Sequence, residues 1–136
     1  MNFFYLVNNA GVASYGYFDT LPLKRQQDEI KLNVLSVVNL THLFLQDMLE
    51  RRQGAIINAA AGFQSMPFMA VYGATKAFII SWGEAISAET RKEGISVVTL
   101  YPGRTETNIV EAMGAILAVR ARMYRLHRSF KQDCAR

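Results

Sequence analysis

A chain of 136 residues that is 51% apolar and 19% charged has the size and balance of one globular domain, which excludes a disordered or low-complexity polypeptide. Its longest apolar runs fall far short of a bilayer span, its first residues lack the pattern of a secretory leader, and its single cysteine, Cys134, forms no internal disulfide; a reducing, cytoplasmic setting without a transmembrane segment is expected. The net charge of +4 sits entirely in residues 104–136, which hold seven Lys/Arg against three Asp/Glu, while residues 1–103 hold eight of each. That tail reads as a solvated polar helix face. With no aromatic interleaving and no recognition motif, no nucleic-acid partner is expected.

In chain order, Phe3 to Val7 is a short apolar run that ends in Asn8-Asn9-Ala10-Gly11, the pattern of a buried strand and a turn. Asp19 or Thr20 is placed to cap a helix whose first turn holds Pro22. Apolar residues recur from Ile30 through Val34, Val37 and Val38 to Met48 and Leu49. They predict a helix of roughly 28 residues, about 42 Å long, that runs to Glu50 and is ended by Gly54. Residues 55–60 read as a second buried strand. A second helix is predicted from about Ala70 to Lys92, closing at Gly94, and Ile95–Tyr101 as a third strand stopped by Pro102-Gly103. Strands alternating with helices imply an α/β fold with parallel strands and right-handed crossovers. A further helix is expected over 108–128.

Tyr72 and Lys76 lie four residues apart on the second helix and so share a face. An ammonium beside a phenol favours the phenolate, which predicts a Tyr72 pKa lowered toward neutrality. Such a group gives or takes the proton when a carbonyl and an alcohol interconvert. In an open parallel sheet, ligands sit beyond the carboxyl ends of the strands. The Asn9-Ala10-Gly11 turn, the loop after strand two and Pro102-Gly103 all lie at that edge, and the helix carrying Tyr72 starts there. Asn33 lies about a third of the way along the long helix. His42 and His127 lack partners at metal-ligand or triad spacing, so no metal is expected. Ser14, Ser36, Ser65 and Ser81 lack a His–Asp arrangement for nucleophilic catalysis.

These residues resemble the short-chain dehydrogenase/reductase family over about residues 4 to 107. The likeness rests on Asn8-Asn9-Ala10-Gly11, Lys31-Leu32-Asn33-Val34, Gly54-Ala55-Ile56-Ile57-Asn58, Tyr72-Gly73-Ala74-Thr75-Lys76-Ala77 and Pro102-Gly103-Arg104-Thr105-Glu106-Thr107. Their spacing fits as well: 24 residues from Asn9 to Asn33, 39 on to Tyr72 and 30 on to Pro102. The resemblance implies a truncated Rossmann-like three-layer fold, with about three parallel strands and long flanking helices. It implies two units, a partial Rossmann-like domain over 1–107 and a divergent basic helical tail over 108–136. It implies Tyr72 as general acid/base, Lys76 on the nicotinamide ribose hydroxyls and Asn33 on a relay water. Asn9, Ala10 and Gly11 would line the ribose of NAD or NADP. Pro102, Gly103, Thr105 and Thr107 would meet the nicotinamide amide. The implied substrate is a small alcohol or ketone, and the implied assembly a homo-oligomer through the two long helices.

Two departures from the family pattern bear on activity. The family's serine belongs 12 to 14 residues before the tyrosine, where this chain has Ala60, Ala59 and Asn58, and Ser65 falls on a different part of the loop. The glycine-rich phosphate turn is missing, since none of the nine glycines forms a G-x-G. The expected function is therefore NAD(P)(H)-dependent carbonyl/alcohol hydride transfer by an incomplete or impaired copy. The alternative is a non-catalytic remnant that dimerises or binds a partner.

Overall fold

The computed structural model describes residues 4–60 and 65–101. In order, these form β1 (Tyr5–Asn8), α1 (Leu23–Ile30), a π-helical turn (Lys31–Leu35), α2 (Ser36–Arg51), β2 (Gly54–Ala59), α3 (Ala70–Thr90), a 3₁₀ turn (Arg91–Glu93) and β3 (Ile95–Leu100). The strands make one parallel sheet in the order β1-β2-β3, with Val7 opposite Ile57 and Ile57 opposite Val98. This is the parallel α/β arrangement that the sequence pattern implies and the truncated Rossmann-like fold that the resemblance implies.

Side chains alternate across a strand, so the register divides the sheet into two faces. Leu6, Ile56 and Val97 share one face and pack with Met48, Phe44 and Leu45 of α2. Met48 and Ile56 are fully buried, worth about 1.5–3 kcal/mol each. Farther along the same face, Asn8 donates from Nδ2 to Thr41 Oγ1 of α2 at 3.1 Å and to Asn58 Oδ1 at 2.9 Å. Those paired amides tie β1, β2 and α2 together without leaving the carboxyl edge apolar. A second cluster of Val37, Ala60, Ile79 and Ile80, flanked by Trp82, joins the helices to the end of β2. The opposite face presents Tyr5, Val7, Val98 and Leu100, all exposed. Among the described residues, then, one helical layer covers one side of the sheet, two layers where the resemblance implies three, because the face of Tyr5, Val7, Val98 and Leu100 has no helix packed on it.

Three local expectations are revised. Neither Asp19 nor Thr20 caps α1. Pro22 occupies the cap position, and Gln26 Nε2 reaches back to the carbonyls of Phe18 and Leu21, each at 3.1 Å, while Thr20 Oγ1 donates to Tyr17 O. The long helix is interrupted: between Lys31 and Leu35 the hydrogen bonding slips to a wider turn, and the Ser36 N–H reaches Lys31 O. Gly54 does not end that helix, because Arg52 takes the left-handed conformation at φ 53°. Gly54 instead opens β2, where a Cβ would lie 2.5 Å from Met48 Sδ, so the strand needs a residue without a side chain to pass α2. The closure of α3 at Gly94 agrees with the sequence pattern (φ 78°). The expected helix over 108–128, the tail, Pro102, Gly103, Thr105 and Thr107 lie outside the described residues.

Candidate active site

The site forms where β1 and β2 end and α3 begins. After β1 the chain turns through Asn9 and Ala10, both exposed, to Gly11, and continues as a loop whose Val12 is clamped by Asn33. The Val12 N–H donates to Asn33 Oδ1 at 2.9 Å, and Asn33 Nδ2 donates to Val12 O at 2.8 Å and to Thr75 Oγ1 of α3 at 3.2 Å. Thr75 Oγ1 in turn donates to Tyr72 O. One buried amide, 2% exposed, thereby joins the loop, the π turn and α3. Asn33 sits in the middle of the π turn, a distortion found often at functional sites.

Lys76 is 8% exposed and points to the end of β2, where its Nζ donates to Ala59 O at 3.2 Å. The same nitrogen stands 5.5 Å from the centre of the Tyr72 ring. A Cβ on Gly11 would lie 3.2 Å from Asn33 Oδ1 and 3.5 Å from Lys76 Nζ. Glycine thus keeps open the space in front of the ammonium, which a ligand's hydroxyls could enter. Tyr72, Lys76, Asn33 and Gly11 are therefore brought together as the sequence spacing suggested.

The electrostatics differ from the expectation. The Tyr72 pKa is not lowered. Burial raises it above the usual phenol value, and the Glu29 carboxylate raises it further. Burial lowers the Lys76 pKa. At neutral pH Tyr72 is a phenol, with a proton to give. The physical reason is that desolvation of the half-buried ring and a buried acid on α1 outweigh a lysine whose ammonium is directed at a carbonyl.

Sequence reasoning missed Glu29, Ser14 and the Ala59 carbonyl. Glu29, Asn33 and Val37 recur at four-residue spacing and are all buried, and this polar interruption of an apolar face was the available signal. At the positions expected for the family's serine stand Asn58, Ala59 and Ala60, the first and last fully buried, and Ser65 is exposed. Among the described residues no group of His, Cys, Asp or Glu is arranged to hold a metal, and no helix is long and apolar enough to cross a membrane.

The family model described as short chain dehydrogenase matches residues 3–116. The chain belongs to the short-chain dehydrogenase family. It is 37% identical over 100 residues to a ketoacyl reductase, HetN, of a Nostoc species, covering 72% of this chain and 35% of that protein. It is 38% identical over 104 residues to a very-long-chain 3-oxoacyl-CoA reductase of Anas platyrhynchos, covering 71% of this chain and 33% of that protein. A short-chain dehydrogenase from Sphingobium yanoikuyae, solved in complex with NADPH, superposes with a TM-score of 0.78 at 31% identity, covering 81% of this chain and 44% of that one. The chain thus spans about a third of the length of these two curated relatives.

Proposed function

We propose that the site is the proton-transfer centre of an NAD(P)(H)-dependent short-chain oxidoreductase that interconverts a small ketone and an alcohol. The observation that carries this reading is the Lys76 ammonium, 5.5 Å from the Tyr72 ring at the carboxyl ends of the strands, with Gly11 leaving room in front of it. Tyr72, a phenol at neutral pH, donates its proton to the carbonyl oxygen of a bound ketone. Lys76 then faces the phenolate so formed and stabilises it. Its ammonium has three N–H donors, and the bond to Ala59 O uses one, so two are free for the ribose hydroxyls of the cofactor. Asn9, Ala10 and Gly11 would flank that ribose, and Pro102, Gly103, Thr105 and Thr107 are assigned to the nicotinamide amide. When bound, NAD(P)H supplies the hydride. Asn33 holds the loop after β1 against α3 and is assigned to the relay water.

The names of the two relatives, a ketoacyl reductase and a very-long-chain 3-oxoacyl-CoA reductase, direct the substrate reading toward oxoacyl compounds. With alanines where the serine is expected, one hydrogen bond to the substrate oxygen is lost, a cost of about 10²–10³ in rate. That same observation favours a second reading, a non-catalytic module that dimerises through α2 and α3, where Leu40, Leu43 and Phe78 are exposed.

The deciding measurement is the thermal midpoint of the full chain with and without millimolar NADPH or NADH, followed by ketone reduction by the same preparation. A ligand at 100 times its Kd stabilises by about 2.7 kcal/mol. A shift with either cofactor and a turnover abolished in Tyr72→Phe support the oxidoreductase. No shift with either, in a chain that still dimerises, supports the module.

A further inference from the structure

Glu29 is a buried acid that the proton transfer above does not use. It lies one turn before Asn33 and is 1% exposed. Neither carboxylate oxygen has a hydrogen-bond partner of ordinary geometry. Ser14, itself 3% exposed, brings its hydroxyl and backbone N–H up to the carboxylate from the loop, and Arg25 faces it from α1. Both Glu29 and Ser14 line a cleft of about 430 Å³, with Val12 and Arg25 among its other walls and Asp28 held by Lys24 at its side.

The helices fix what stands on the other side. β1 and β2 are parallel, so α1 and α3, each leading back from the carboxyl edge, run parallel as well. The bond from Asn33 Nδ2 to Thr75 Oγ1 sets their register. One turn back along each helix brings Glu29 level with Val71 and Tyr72, and α1 packs directly on α3. Ser14 and Arg25 thus flank the carboxyl group, and the helix that carries it packs on the Tyr72 end of α3.

We propose that Glu29 is a positioning residue of this site, one that acts through Tyr72: a buried carboxylate level with the first turn of α3 sets how readily the phenol gives up its proton. The proposal rests on the reading of Tyr72 as the proton donor. Its direction agrees with the local electrostatics, since burial pushes the Glu29 carboxyl above the usual range, opposed by Ser14 and Arg25, and the Glu29 charge raises Tyr72.

The test is a pH titration of the full chain labelled with ¹³C-ring tyrosine, with the Tyr72 resonance assigned by its loss in Tyr72→Phe. In Glu29→Gln the Tyr72 titration moves to lower pH, and in Glu84→Gln, on another part of α3, it does not move. Glu29→Met, which fills a similar volume without charge, gives the same downward shift and serves if the glutamine variant fails to fold. A Tyr72 titration unchanged in whichever neutral variant folds overturns the proposal. The folded-state pKa of Glu29 lies above the unfolded one, so its contribution to stability is full below the unfolded pKa and is lost as pH rises through the folded one. Urea denaturation must show that decline in the parent and its absence in Glu29→Gln. Neither measurement needs a cofactor, so failure of the oxidoreductase reading in the thermal-shift experiment would be seen separately.

Discussion

Lys76 Nζ stands 5.5 Å from the centre of the Tyr72 ring, yet its hydrogen bond goes to the carbonyl of Ala59. The pair is assembled, and the ammonium is shared between a strand end and a phenol. With burial of the ring and the Glu29 charge both raising the Tyr72 pKa, the two residues are neighbours while the phenol still holds its proton.

Lys76 gives the first prediction. Burial places its folded pKa below the ordinary lysine value. The unfolded chain therefore binds the proton more tightly, and the folded state is penalised below its own pKa. Stability should rise as pH climbs through the folded pKa toward 10.5. Urea denaturation between about pH 8 and 9, about a unit or more below the ordinary tyrosine pKa, should show the rise in the parent chain. Lys76→Met should flatten it.

Asn33 gives the second. Its side chain makes three hydrogen bonds to Val12 and Thr75 from a buried position. Asn33→Ala strands the Val12 N–H and carbonyl and frees the loop after β1. A loss of about 2–3 kcal/mol is expected by urea denaturation. Any cofactor-induced rise in thermal midpoint should shrink with it, because Gly11 is carried by the same loop.

Two glycines should respond in opposite directions. A Cβ at Gly54 would fall 2.5 Å from Met48 Sδ and 2.9 Å from Met48 Cβ, so Gly54→Ala should cost about 1–3 kcal/mol. Gly73 lies within α3, and the nearest atom to its added Cβ is 3.7 Å away. Gly73→Ala should stabilise by about 0.5–1 kcal/mol through helix propensity. Chemical denaturation of the two variants side by side checks both signs.

The exposed apolar residues of the long helices lead to the fourth prediction. Leu43 of α2 is 64% exposed and Phe78 of α3 is 38% exposed and stacked on Trp82. If these faces pair two copies, light scattering should give a dimer for the parent chain and a monomer for Leu43→Glu. A parent chain that is monomeric at high micromolar concentration would count against pairing.

The fold was legible because each cue is local. Runs such as residues 55–60 and 95–100 are short, apolar and bounded by turn residues, which reads as strand, and the residues between them repeat with helical period; the expected burial holds on one face only, since Val98 and Leu100 are exposed. Local cues failed at the ends of the long helix. Gln26 satisfies the carbonyls of Phe18 and Leu21 from eight and five residues away, and Gly54 is needed because Met48 passes beside it in space. No pattern of capping residues carries that information.

The membership of the site, Tyr72 with Lys76, Asn33 and Gly11, follows from the chain itself, because helical spacing and strand order put those residues at one sheet edge whatever the details of packing. The protonation of the site does not. Whether the phenol is raised or lowered depends on how deeply the ring is buried, where the lysine bonds, and which acid the neighbouring helix buries beside it. Those are distances between residues far apart in sequence, and only the packing of α1 against α3 sets them.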